Sequence, residues 1–294
     1  MDVAPPVAAP PRVGRALALI AVALVVAVAT FAFVGRDAPS GRAISSPVIP
    51  GALPPTSSAA SDGCSTKPAP PGRVSTPTEA DSRAVAAALV ADYRFHDSFA
   101  TSVGTAPALV ESRLGSGRFA DESVRGQTRS VLRFDRGRGL SLPTGGVIQS
   151  GKYTIELLFR LDRLAGYRKI IDFKKASNGS GLYSLDGCLT YVPRRPASPA
   201  TIGVDTYAQV VLTRNAAARV VGYVDGIRQF SFRDPRDLAV TDRNDTLLLF
   251  RDDSETHTDY SGGAVSRIRL FDRPLVGSEV AALACVDLPA WFCS

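Results

Sequence analysis

The densest set of chemistry-bearing side chains in the sequence is the run Arg251 to Tyr260, RDDSETHTDY. Asp252, Asp253, Glu255 and Asp259 could together supply the oxygen ligands that calcium takes, and calcium is the one cofactor the sequence suggests. The plainer reading is a solvated polar loop between two strands. His257 stands in the same run without a neighbouring serine or cysteine to activate. A second chemistry needs paired carboxylates, one to protonate a glycosidic oxygen and one to act opposite it. In YTIELLFRLD (153 to 162), strand geometry puts Glu156, Leu158, Arg160 and Asp162 on one face, so two carboxylates stand apart with a leucine and an arginine between them. A third chemistry is stacking on sugar rings by Tyr167, Tyr183, Tyr191 and Trp291, against the commoner fate of strand aromatics, which is the core. The four cysteines, Cys64, Cys188, Cys285 and Cys293, form no C-x-x-C pair, and neither histidine, His96 or His257, lies near one. Zinc is thereby disfavoured and disulfides are expected.

The formal charge of +6 comes from arginines and aspartates interspersed along the chain. Without a basic run interleaved with aromatics, nucleic acid is not an expected partner. Residues 1–15 form a short head carrying Arg12 and Arg15. Ala16 to Val34 is uncharged and free of proline and glycine, enough for a helix across a hydrocarbon core of about 30 Å. A cleaved signal peptide is the competing reading, since Ala27-Val28-Ala29 offers a cleavage pattern. Apolarity continuing through Phe31 to Val34 favours the anchor. Either way the remainder is expected outside the cytoplasm, where disulfides persist. Residues 35–75 are rich in proline, serine and alanine and read as a mobile, disordered stalk.

The elements that would position any site begin with a helix after residue 75. Thr76 is the expected N-cap, with Pro77 at the first helical position and Glu79 closing a capping box, and alanines carry the helix to Ala91. From Asp92-Tyr93-Arg94-Phe95 onward the pattern is strand, turn, strand. Tyr153, Ile155, Leu157, Phe159 and Leu161 alternate with Thr154, Glu156, Arg160 and Asp162, as expected for a strand with one wet face. Further strands read at 169–173, 181–184, 189–192, 246–250 and 265–271, and a last helix at 278–283. Around 207–232, Ala208, Val210 and Leu212 alternate with polar neighbours, and Asn215 to Arg219 makes the first reversal. Asp225-Gly226 makes the second as a type I′ turn, which explains Asp225 without any chemistry. Leu142-Pro143-Thr144-Gly145 reads as a turn after a strand, and Asn178-Gly179-Ser180 as a glycosylation sequon.

Taken in order, DYRF, VLRFDRGRGLSLP (131 to 143), YTIELLFRLD, KIIDF, GLYSLDGCLTYV, AQVVLTRN, GYVDGIRQF and VSRIRLFDRPLVGSEVAAL (265 to 283) resemble the laminin-G-like, concanavalin A-like lectin and glucanase jelly-roll family. The resemblance spans residues 88 to 284. It implies an all-β fold, a two-sheet antiparallel jelly-roll sandwich at 76–286 with a short tail at 287–294. It also implies binding of glycans, cell-surface proteins or calcium. Glucanases of this kind carry a Glu-x-Asp-x-Glu-like run on one strand, which the strand holding Glu156 lacks, so no enzyme activity is expected. Among disulfide pairings, Cys285 with Cys293 is the local one and leaves Cys64 with Cys188. Cys64 with Cys285 or Cys293 stays open. The expected function is a membrane-anchored extracytoplasmic module that recognises a glycan or an envelope protein at the cell surface. The loops 175–181, 194–201 and 251–261 would supply its contacts. The alternatives are a scaffold for a partner in the same membrane and, behind it, a carbohydrate-active enzyme.

Overall fold

Alternation along 153–161 is the signature of a strand whose odd residues enter a core, and it is met throughout the second of the two units into which the chain divides, Ser57–Ser294. The computed structural model describes residues 64–65, 76–112, 117–177, 179–194, 198–199, 201–251, 259–287 and 293. The expected anchor at 16–34 and almost all of the linker lie outside the described residues, as do Asp252, Asp253, Glu255, His257, Asn178 and Trp291. Among the described residues no helix is long and apolar enough to cross a membrane.

In chain order the elements are β1 (Cys64–Ser65), α1 (Glu79–Ala88), β2 (Leu89–Tyr93), β3 (Val110–Glu111), β4 (Gly117–Val124) and β5 (Gln127–Phe134). There follow β6 (Leu140–Pro143), β7 (Tyr153–Leu161), β8 (Tyr167–Asp172), β9 (Gly181–Leu185), β10 (Cys188–Val192) and β11 (Ser198–Pro199). The last are β12 (Ala208–Arg214), β13 (Arg219–Val224), β14 (Ile227–Arg233), β15 (Thr246–Leu249), β16 (Gly263–Phe271) and α2 (Gly277–Asp287). One sheet has the order β10-β9-β8-β15-β6-β3, and the other β14-β13-β12-β7-β16-β5-β4 with β2 also on β16. Every pairing within the two sheets is antiparallel. The chain is therefore the antiparallel two-sheet sandwich that the strand pattern implied. A separate parallel pair joins β1 to β11, so the linker is stitched to the sandwich at Cys64–Ser65.

The core between the sheets takes Ile155, Leu157 and Phe159 from β7 and Val210 and Leu212 from β12, against Leu142, Leu182, Leu189, Leu247 and Leu249 of the facing sheet. Phe250 links the layers, its ring 4.6 Å from Phe134 and 5.1 Å from Phe159. The outer face of the larger sheet is not wet as expected. Val85 and Ala88 of α1 and Val280 and Leu283 of α2 pack over Val211, Tyr223 and Phe271. Beneath this third layer Thr154, Glu156 and Gln209 are fully buried. Thr154 is satisfied locally, its Oγ1 donating to the Arg273 carbonyl at 2.9 Å and accepting from Leu275 N at 2.8 Å, while Gln209 donates through Nε2 to Glu156 and its buried Oε1 accepts no hydrogen bond among the described residues. Polar alternation marks a strand face without saying whether water or a helix meets it.

The helix start also differs from expectation. Thr78, not Thr76, is the N-cap: its Oγ1 accepts from Asp81 N at 3.1 Å while Thr78 N donates to Asp81 Oδ2 at 2.9 Å. Both T-x-x-acid frames have capping-box spacing. The inner one gains a tertiary bond, Ser278 Oγ of α2 to Asp81 Oδ1 at 2.7 Å. The helix ends at Ala88 and not at Ala91, because Leu89 to Tyr93 pair with β16. The turn at Asp225-Gly226 is as expected, with φ of 49° and 78°.

Candidate ligand-binding cleft

β16 is covered along one edge by β7 and is shared on the other by two strands laid end to end. β5 pairs with Gly263 to Val265, and β2 pairs with Ile268 to Phe271. Between them, at Ser266 and Arg267, the ladder with β7 shifts register in a bulge. Bulges re-aim side chains and open a sheet edge. Past Tyr93 the chain leaves β16, and the first half of β5 pairs with β4 alone. A cleft of about 440 Å³ fills the wedge between the diverging strands, walled by Arg94, His96, Asp121, Arg129, Ser130 and Arg267 and touched by Val286 of α2. A second cleft of about 270 Å³ adjoins it, sharing Asp121 and Ser130 and adding Phe95, Asp97 and Phe119.

The backbone that carries His96 into this wedge is strained on both sides. Phe95 has φ of 58° and Asp97 of 49°. A bulky residue in the left-handed region is an outlier costing on the order of 1–3 kcal/mol. Burial of the Phe95 ring, 1 % exposed within the core, holds it there. Thr101 and Ser102 fasten the loop, Ser102 N donating to the Asp92 carbonyl at 2.7 Å and Asp92 N to Thr101 Oγ1 at 2.9 Å.

Asp92 organises the cationic wall. It is fully buried, and Arg267 grips it with Nε and Nη2, each at 2.8 Å. Arg94 Nε reaches its Oδ2, also at 2.8 Å. Burial alone would raise the pKa of this carboxyl; the hydrogen bonds and charge of Arg267, then of Arg94, outweigh it and hold the group below its ordinary value. Opposite, Asp121 Oδ1 accepts from Ser130 Oγ at 3.0 Å, and Arg129 Nη2 donates to Gln127 Oε1 at 2.7 Å. Phe119, half-buried, rests on Phe99 with ring centroids 5.1 Å apart.

On the other face of β4, Glu122 accepts from Tyr207 Oη at 2.9 Å and Arg160 Nε at 3.0 Å, and is ion-paired with Arg133. Partial burial raises its pKa, but these donors, Arg160 first, bring it down to about 2. A carboxyl whose folded pKa lies below its unfolded value near 4.3 stabilises the fold fully above that pH and progressively less as pH falls toward 2. Glu122→Gln is therefore expected to lose about 1–2 kcal/mol at pH 7, allowing for solvent screening, and almost nothing at pH 2. Urea unfolding of both proteins at the two pH values checks this.

The other sequence-derived candidates are dispersed. Glu156 is buried with both oxygens engaged: Arg269 Nε and Nη2 pair with them and Gln209 Nε2 donates to Oε1 at 2.6 Å. Asp162 is exposed and pairs with Arg160. Tyr183 and Tyr191 belong to the interior, while Tyr167 is half-buried edge-on to Tyr183. Asp225 does more than make its turn, accepting from Gln209 N at 2.8 Å and from Arg125 Nη2. Of the four acidic candidates for calcium only Asp259 is described, its carbonyl accepting from Lys169 N at 3.0 Å. Among the described residues no three acidic, cysteine or histidine side chains converge as a metal site. Cys285 and Cys293 are bonded, and Cys188 is in a disulfide. The disulfide expected at Cys64 involves a side chain outside those described. The cleft was missed by sequence reasoning. Its one usable signal is Arg125-Gly126 between two alternating runs, which makes the β4–β5 turn with φ of 53° and 82°.

The sequence pattern of the concanavalin A-like lectin/glucanases superfamily matches residues 134–281, half of the chain. The chain belongs to this superfamily. No curated protein matches the sequence of this concanavalin A-like chain. Among solved structures it is similar to domain 4 of AbnA, a GH43 extracellular arabinanase from Geobacillus stearothermophilus, determined in complex with arabinotriose. The two share 18% identity with a TM-score of 0.52 over 67% of this chain and 98% of that one. Botulinum neurotoxin type C, whose cell entry depends on interaction with two ganglioside molecules, is 12% identical with a TM-score of 0.48 over 71% of this chain and 53% of its own. The chain thus spans about half of the neurotoxin chain, and at these identities both likenesses are of fold alone.

Proposed function

We propose that the protein is a glycan-binding module held at the outer face of a membrane by residues 16–34, and that it binds without catalysing. The observation that carries this reading is the cleft at the split sheet edge. It sets guanidinium, carboxylate, imidazole and hydroxyl groups beside the half-buried ring of Phe119. Sugars need that combination: polar groups placed for hydroxyls, and an aromatic surface for the ring's C–H face. The rigid sandwich supplies the preorganisation that weak sugar contacts require. Membership of a lectin and glucanase superfamily, and the arabinotriose bound to a domain of similar fold, support it. Against catalysis stands Glu156, whose carboxylate is committed to Arg269 and Gln209 and shut from solvent.

The test is the thermal midpoint of the purified full chain in detergent against a panel of neutral and acidic oligosaccharides, alongside Phe119→Ala and Arg129→Ala. A ligand bound only to the native state at 100-fold excess over its Kd contributes about 2.7 kcal/mol. We expect at least one glycan to raise the midpoint of the parent and not of the variants. A flat response across the panel, or a rise that both variants keep, overturns the reading.

A further inference from the structure

We infer that one end of the sandwich docks on an anionic phospholipid bilayer through cations carried on the loops that converge there. This goes beyond the glycan reading and takes from it only the nearness of a membrane. The loops β6–β7, β8–β9, β12–β13 and β14–β15 are tied together at this end. Lys174 Nζ donates to the carbonyls of Asp237 and Val240 at 2.8 and 2.7 Å, and Gln149 Nε2 to that of Asp242 at 2.8 Å. Arg214 Nη1 reaches the Gly151 carbonyl at 2.8 Å, and Asp234 N the Ala218 carbonyl at 2.8 Å. Tight turns here each hold a cation at a central position. Ser177 N donates to the Lys174 carbonyl at 3.0 Å and so presents Lys175; Asp237 N donates to the Asp234 carbonyl at 3.3 Å and presents Arg236; Asp245 N donates to the Asp242 carbonyl at 3.0 Å and presents Arg243. Lys152, Arg219 and Arg233 stand beside them, and all of these side chains are exposed. Along the sequence they are interspersed with aspartates, and folding gathers them.

None of these exposed cations is ion-paired among the described residues. The carboxylates at this end are engaged elsewhere: Asp234 and Asp237 with Arg214, Asp245 with Thr144 Oγ1, Thr241 Oγ1 and Gly146 N, and Asp242 with Asn244 N at 2.9 Å. Cations therefore outnumber carboxylates there. Arg219 and Arg233 are direct partners across the β13–β14 ladder, and like charges so placed repel each other. An anionic surface would relieve that repulsion. The cations project from several separate turns, an arrangement suited to a broad surface of headgroups. The aromatic rings nearby, Phe173, Tyr191 and Phe230, are buried and offer no platform on which bases could stack, which disfavours nucleic acid. Each Lys or Arg held near an anionic bilayer strengthens its hold about fivefold, an effect that fades within a Debye length of about 8 Å. Turn tips bring the charge that close. The edge carrying β4 and β5, where the glycan cleft lies, is the opposite edge of the larger sheet from β13 and β14.

The experiment combines the full chain with vesicles of phosphatidylcholine alone and of phosphatidylcholine mixed with phosphatidylglycerol, and follows flotation and amide exchange. We expect residues 174–177 and 234–245 to exchange about threefold more slowly on the anionic vesicles than on the neutral ones, and the difference to vanish at high salt. The triple variant Lys175→Gln, Arg236→Gln, Arg243→Gln should lose the difference while keeping the thermal midpoint of the parent in detergent. Flotation with the anionic vesicles alone supports docking and overturns the attachment by residues 16–34. Equal exchange on both vesicles, or a difference that the variant or high salt retains, overturns docking while leaving the attachment and the glycan site standing. Slower exchange caused by soluble polyphosphate, with none on the anionic vesicles, overturns the bilayer in favour of an anionic polymer. A chain that floats with neither vesicle overturns the attachment and the docking together.

Discussion

Replacing Glu156 with alanine is expected to destabilise the fold by about 3–5 kcal/mol, a large part of the 5–15 kcal/mol typical of a domain. The carboxylate is fully buried on the outer face of the larger sheet, and Arg269 opposite is 5% exposed. Pairing with the other lowers the cost of burying each charge. Alanine removes the acceptor for both guanidinium nitrogens and for Gln209 Nε2, taking from Arg269 the carboxylate that pairs with it under the helices. Exchanging both partners, Glu156→Met with Arg269→Met, removes both charges together and should recover most of the loss. Urea midpoints of parent, single and double variants test this. An alanine variant as stable as the parent would show that the pair is not structural, and a hydrolytic activity lost with it would return Glu156 to consideration as a catalytic group.

The second large effect is expected at Asp92. Asp92→Ala takes from Arg267, whose side chain is 15% exposed, the carboxylate that its Nε and Nη2 both bond, and releases Arg94 as well. We expect about 2–4 kcal/mol of destabilisation, from the loss of charge-assisted bonds and the buried guanidinium left behind. Asp92→Asn keeps the volume and one acceptor oxygen and should lose about half as much. Because β2 pairs with β16 only through Leu89 to Tyr93, the damage should appear first as faster amide exchange in that strand. Unchanged exchange in β2 of Asp92→Ala would contradict the role given to this carboxylate.

The strand of Tyr153 to Leu161 and the Asp225-Gly226 turn were legible in the sequence because each depends on local chemistry, a period of two and a need for positive φ. The outer face was misread because Glu156 and Arg269 are far apart in the chain. Their ion pair permits burial of residues that look solvated, and nothing near Glu156 announces Arg269. The helix start was ambiguous for a similar reason, since Thr76 with Glu79 and Thr78 with Asp81 have the same spacing. Ser278, distant in sequence, favours the second. The cleft was the least legible feature. It arises because β5 and β2 share one edge of β16 and diverge, a fact of topology. The strained turn that presents His96 lies within what reads as an ordinary strand, Asp92 to Phe95. At the β4–β5 turn, the positive φ of Arg125 accompanies tertiary bonds from its guanidinium to Asp225 and to the Tyr207 carbonyl at 3.2 Å.

The central claim is that the wedge between β2 and β5 is where a glycan binds. Amide hydrogen exchange of the full chain, with and without the oligosaccharide that most raises its thermal midpoint, tests this most directly. Binding at the wedge predicts slower exchange confined to residues 94–103 and 117–130, with the rest of the sandwich unchanged. Protection appearing instead at 175–181, 201–206 or 259–262, with 94–103 and 117–130 unaffected, would contradict it and move the site to the loops between the strands.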